Sequence, residues 1–171
     1  MTRILVAVDG SPSSLEAVRH AVGLVRSGLR ATVVLAQVQE EASFLELATQ
    51  DSDRIAKAAL GAGMHLMAPA VVELQAAGVP FEREVALGEP GTTLVDMAER
   101  LQCDCIVVGA RGMGALRRAF IGSVSQSVLN HSLVPVTVVR EREDAAMEVL
   151  GEDGAQVMAD GLTPLSTKAS L

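Results

Sequence analysis

Residues 105–125 read CIVVGARGMGALRRAFIGSVS. Four apolar residues are followed by a glycine-rich stretch, and small hydroxyl residues then open a new apolar periodicity. Cys105 to Val108 form a run short and apolar enough to be a buried strand. Residues 123–131 repeat apolar positions at helical spacing, so a helix is expected there, with the glycines turning the chain between the two. A strand, a turn of small residues and a helix make half of a crossover unit, so the other half is sought on either side.

The same grammar recurs towards the N-terminus. Residues 3–8 are a second buried strand candidate, ending at Asp9-Gly10-Ser11-Pro12. Ser13 with Glu16 three residues on predicts a capping box, and Leu15, Val18, Val22 and Val25 give residues 13–27 the stripe of an amphipathic helix that stops at Gly28. Residues 31–38 are a strand; residues 39–53 read as a loop or a short helix. A helix is expected over 52–77, weakened at Gly61 and Gly63, kinked or broken at Pro69 and closed by Gly78. Residues 80–87 are a more polar strand whose Glu82, Arg83 and Glu84 suit a sheet edge. Residues 88–92 turn into a helix with Leu94, Val95, Ala98 and Leu101 on one face, and residues 136–140 form a fifth strand. Strands separated by helices imply parallel neighbours joined by right-handed crossovers, an open doubly wound α/β sheet with helices on both faces. Such sheets bind ligands beyond the carboxyl ends of their strands, where the strand order reverses. The first and fourth strands flank that point, and their ends carry Asp9 and Gly109.

Composition narrows the function. The 171 residues are 49% hydrophobic and only 2% aromatic, without Trp or Tyr; mean hydropathy is +0.34. A platform that stacks nucleic-acid bases is therefore not expected. The formal net charge of −7 disfavours general binding to nucleic acid or anionic membrane. No signal-peptide pattern precedes the first apolar run, and no stretch has the length of a membrane-spanning helix. Cys103 and Cys105 stand one residue apart, which fits neither a disulfide framework nor a zinc site. A reducing, cytoplasmic setting is the expectation. Residues 141–171 open with a charged run, Glu141-Arg142-Glu143-Asp144, and are expected to be a mobile acidic appendage to a domain covering residues 1–140.

Gly109-Ala110-Arg111-Gly112, nine residues, then Gly122-Ser123 form the strongest chemical signal. Glycines let backbone amides approach a phosphate chain and adopt positive φ, and a helix opening at Ser123 adds unpaired amides and its dipole. Ser123 and Ser125 would add hydroxyl donors, and Arg111 a charge for an outer phosphate. On residues alone, glycines that merely shape a loop fit as well. No Gly-Lys-Ser/Thr ending follows a glycine loop; the two lysines, Lys57 and Lys168, lie elsewhere, and no Gly-x-Gly-x-x-Gly follows the first strand. P-loop, kinase and dinucleotide readings thus lose their central residues. Asp9 serves either a ligand or the turn after it. The cysteines, expected on one face of a strand or its approach, read as small buried residues rather than a redox pair. His20 reads as solvated, His131 as a helix-terminal cation, His65 as uninformative, and Arg117-Arg118 as a solvated loop. The histidines share no metal-ligand spacing.

The spacing Gly109-x-x-Gly112, nine residues, Gly122-Ser123 resembles the nucleotide signature of the universal stress protein family. The stretch Val6-Ala7-Val8-Asp9-Gly10-Ser11 and the closing segment from Ser132 to Val139 are similar as well, so the resemblance covers residues 2–140. It implies a five-stranded Rossmann-like sheet in the order 3-2-1-4-5 that binds ATP, ADP or AMP. Asp9 would contact adenine or ribose, the Val38 main chain the adenine edge, and Gly109 and Gly112 the ribose and phosphates. Gly122, Ser123 and Val124 would cradle the phosphates, with Ala7, Val8, Val108, Arg111 and Ser125 alongside. Magnesium or manganese would ride on the phosphate oxygens. The resemblance also implies a homodimer through Val136, Thr137, Val138 and Val139, a run too apolar for a free edge. No catalytic constellation is evident, so a regulatory module is expected ahead of a slow ATPase or a nucleotide-free interaction module.

Overall fold

In the computed structural model, described over residues 1–40, 52–112 and 121–141, the order is β1 (Thr2–Ala7), α1 (Pro12–Arg26), β2 (Ala31–Gln39), α2 (Ser52–Leu66), α3 (Ala68–Ala77), β3 (Phe81–Leu87), α4 (Pro90–Arg100), β4 (Cys105–Gly109), α5 (Ser123–His131) and β5 (Val136–Val139). The strands form one sheet, β3-β2-β1-β4-β5, every neighbour parallel. This is the doubly wound order expected, with β3 and β5 as edges. The region around residues 41–51, Arg117-Arg118 and the appendage beyond Glu141 lie outside the described residues. Residues Met1–Glu141 form one compact unit.

The central strands are mostly apolar because both of their faces are covered. Ile4 and Val6 of β1, Val33 and Leu35 of β2 and Val107 of β4 face Ala17, Val18 and Ala21 of α1 and Ala70 and Leu74 of α3. Leu5, Ala7, Val34, Ala36, Ile106 and Val108 face the other way, onto Leu94, Val95, Met97 and Ala98 of α4 and Val128 of α5. Alternate residues of one strand thus feed two cores. The edge strand β3 carries charge instead: Glu82 pairs with Arg3 at 2.8 Å and Glu84 with Arg100 at 3.4 Å.

Local signals resolve with some corrections. The expected helix over 52–77 is two helices, parting at Met67 just before Pro69, whose ring cannot sit in a helix interior. Gly78 closes the second at φ 66°. The cap of α1 is Ser11, not Ser13: its Oγ accepts the Ser14 N–H at 3.1 Å, and Pro12 takes the first helical position. Glu16 turns outward to Arg19 at 2.6 Å, so no capping box forms. Cys103 and Cys105 do not share a face. Cys103 sits before β4, after Gln102 at φ 52°, and joins the core under α4, whereas Cys105 packs on the opposite side. Burial raises both thiols above the usual range, which favours their protonated form.

Candidate functional site

β1 ends its ladder at the Ala7–Ala36 pair, while β2 continues to Gln39 and β4 runs to Gly109 on the other side. Chains that leave β1 and β4 for opposite faces open a gap at the reversal point. There lies a cleft of about 630 Å³. All twelve residues expected around a nucleotide line it: Ala7, Val8, Asp9, Val38, Val108, Gly109, Arg111, Gly112, Gly122, Ser123, Val124 and Ser125.

Asp9 stands at the first turn of the switch. Gly10 follows at φ 83°, a conformation that favours glycine. Asp9 Oδ1 accepts the Ser11 N–H at 2.9 Å, and the Asp9 N–H donates to Ser14 Oγ at 3.4 Å. The carboxylate therefore caps the turn and also borders the cleft.

None of the three signature glycines has positive φ, and Gly109 and Gly112 work by close approach instead. A Cβ at Gly109 would come within 2.7 Å of the Ser13 carbonyl carbon, and one at Gly112 within 2.7 Å of Asp9 Oδ2. Gly109 thus lets α1 abut β4, and Gly112 lets the loop abut the carboxylate. At Gly122 the nearest atoms to such a Cβ are 3.5 Å away, so packing among the described residues does not require glycine there.

Main-chain bonds hold the loop's first residues. The Ala110 N–H donates to the Val139 carbonyl at 2.6 Å, and the Gly122 N–H to the Ala110 carbonyl at 2.7 Å. The Arg111 N–H donates to Ser13 Oγ at 3.4 Å, while its carbonyl accepts from Ser11 Oγ at 3.5 Å. Arg111, with its main chain so tied, borders the cleft. Ser125 Oγ donates to the Gly109 carbonyl at 2.6 Å. Its hydroxyl is a brace between α5 and β4 rather than the free donor expected.

Helix α5 begins at the cleft with Gly122 as cap and no side-chain capping bond, whereas α1 is capped by Ser11 and α4 by Glu89. The Gly122 amide is consumed by Ala110, which leaves the first-turn amides of Ser123, Val124 and Ser125 and the helix dipole at the cleft wall. An anion is the ligand such an end favours.

Several lining residues were not expected around the cleft: Gln37 and Glu40 at the end of β2, Leu66 of α2, and Pro90 and Leu94 of α4. Gln37 had a signal, as a lone amide inside ATVVLAQV. The others come from distant elements and had none. His20, His65 and His131 are exposed on three different helices, and His131 Nδ1 lies 2.7 Å from the Ser127 carbonyl. Away from the cleft, β5 is an edge strand with Thr137 exposed and Val136, Val138 and Val139 half-buried. Among the described residues no helix is long and apolar enough to cross a membrane.

Known proteins share this fold. Universal stress protein MJ0531 of Methanocaldococcus jannaschii is 29% identical over 140 residues, 81% of this chain and 82% of its own. The solved structure of hypothetical protein MJ0577 superposes with a TM-score of 0.72 at 23% identity, covering 82% of this chain and 96% of that one. A family member from Arabidopsis thaliana solved with AMP bound gives a TM-score of 0.61 at 22% identity, over 84% and 94% of the two chains. A universal stress protein in complex with cAMP gives 0.57 at 25%, over 81% and 96%. The residue profile of the universal stress protein family matches residues 1–140, the whole of the sheet and its helices. The chain belongs to the universal stress protein family.

Proposed function

We propose that this chain binds an adenine nucleotide in the switch-point cleft and acts as a nucleotide-responsive regulatory module. One observation carries the reading: Gly109, Gly112, Gly122 and Ser123 border a single cleft together with Asp9 and the uncapped start of α5. The phosphates would lie on the first-turn amides of α5, with Ser123 Oγ and the Arg111 side chain beside them. The base would reach the end of β2, where Val38 extends past the last residue of β1. The AMP and cAMP held by the relatives support the adenine class. The described residues hold no group of three or more His, Cys, Asp or Glu that would ligate a metal, so magnesium or manganese would enter on the phosphate oxygens of ATP. The second half of the reading is a homodimer through β5, supported by its apolar, open edge. A cytoplasmic setting fits two unpaired, buried-side thiols.

Calorimetry with ATP on the native chain and on Gly122→Val tests the site. Added bulk at the entry to α5 should lower affinity by at least about tenfold, the equivalent of one lost charge-assisted bond, with circular dichroism unchanged. Equal affinity in both proteins, or none in either, would overturn it.

A further inference from the structure

Gln37 is a polar residue in the apolar run of β2, 3% exposed, on the strand face that carries Val33 and Leu35. α2 covers it through Gly63: a Cβ there would collide with Gln37 Oε1 and come within 2.7 Å of Val85 Cγ1. Gln37 Nε2 donates to the Val38 carbonyl at 3.1 Å, a bond within β2 that does not involve α2. Gln37 Oε1 is buried and has no hydrogen-bond partner among the described residues. Exchanging the two amide atoms would set oxygen against oxygen at Val38, so the orientation follows from the bond. A buried acceptor without a donor is costly, and the cost vanishes once water reaches it. An apolar side chain would fill the same slot without that cost, so packing does not account for a glutamine.

Other features of α2 favour its release. Gly61 and Gly63 stand inside the helix, where glycine is less stable than alanine, and Leu60 and Met64 are exposed rather than packed. The helix ends at Leu66, and α3 starts afresh, with the Met67 carbonyl accepting the Val71 N–H at 3.0 Å. α3 is fastened independently: Arg19 of α1 donates to Glu73 at 3.1 and 2.9 Å, and Ala70 and Leu74 sit in the core. We propose that α2 opens as a unit while the rest of the domain stays folded, and that Gln37 sets how readily it does so. In the closed form Oε1 is stranded between Gly63 and Val85. When α2 lifts, water satisfies that oxygen while the bond to the Val38 carbonyl is kept. Leu66 and Gln37 both border the cleft, so the opening of α2 widens it at the end of β2. α2 is thus a door on that side of the cleft, whatever ligand the cleft takes.

The test is native-state hydrogen exchange, followed by NMR on the full chain in urea concentrations below the unfolding transition. Amides of residues 60–66 should exchange at least about tenfold faster than those of α1 and β1, and their rates should rise less steeply with urea, because a local opening exposes less surface than global unfolding. Gln37→Leu should slow the α2 amides about tenfold, the worth of one buried acceptor no longer stranded. Gln37→Met should do the same should leucine pack poorly. Native α2 amides that share the rate and urea slope of α1 and β1 would show that α2 leaves only with the whole fold, which overturns the proposal. Fast α2 exchange that neither folded variant slows overturns it too, because Gln37 would then have no part in the opening.

Discussion

Gly109 and Gly122 belong to one motif but answer to different forces. At 109 the backbone of Ser13 stands where a side chain would begin, and backbone cannot yield as the end of a flexible side chain can. Gly109→Ala should therefore destabilise the fold by about 1–3 kcal/mol, as overpacking does. At 122 a methyl group meets only ordinary contacts, and Gly122→Ala should cost at most about 1 kcal/mol, the difference between glycine and alanine as helix caps. Urea midpoints of the two variants check the contrast; equal losses would refute it. The sequence marked both positions with the same letter. Their separate reasons became visible only with the Ser13 backbone beside one of them.

Helix starts form the next scale, and three of them differ in what caps them. Ser11 caps α1, while Glu89 caps α4 with Oε1 on the Gly91 N–H at 3.0 Å and Oε2 on the Thr92 N–H at 2.7 Å. The Thr92 and Gly91 amides, then the Thr92 hydroxyl, hold the Glu89 carboxyl below the usual carboxylate range. A folded pKa that is lowered means stabilisation complete above the ordinary carboxylate pKa and lost as pH falls through the folded value. Glu89→Ala should cost about 1 kcal/mol at neutral pH, a typical cap. The gap between variant and native should close below about pH 4, where the carboxyl begins to take up its proton. Thermal unfolding at pH 7 and pH 3 measures this, and a gap that persists in acid would contradict it. α5 has no such side chain, and its bare start faces the cleft. Element positions were largely legible from apolar periodicity. The cap of α1 was not, because Ser11, Ser13 and Ser14 are equivalent letters until the turn at Asp9 orients them.

For the whole molecule, β5 is the surface with most at stake. The Ile106 N–H donates to the Pro135 carbonyl and the Ala110 N–H to the Val139 carbonyl. Odd-numbered positions therefore bond to β4, and the main-chain groups of Val136 and Val138 face away from it. A second copy pairing antiparallel would use those groups. Proline at 138 removes an outward N–H while sparing the ladder to β4, a place where edge strands tolerate it. The native chain should sediment as a dimer at micromolar concentration, and Val138→Pro as a folded monomer. A native monomer, or a dimer in both, would set the β5 interface aside. The same strand end accepts the first amide of the glycine loop through Val139, so cleft and edge share a hydrogen bond.

By itself the sequence determined the parallel doubly wound sheet and where its mouth lies, because strand and helix periods and turn residues are local properties that each stretch carries alone. It also placed the glycines that border the cleft, since their spacing is written along the chain. Tertiary structure alone decided that Gln37 would hold the Val38 carbonyl beneath α2, that the Ser125 hydroxyl would donate to the Gly109 carbonyl, and that the two cysteines would face opposite cores. Those outcomes depend on which distant surface arrives at an atom, and pairwise contact across the fold leaves no periodic trace in the chain.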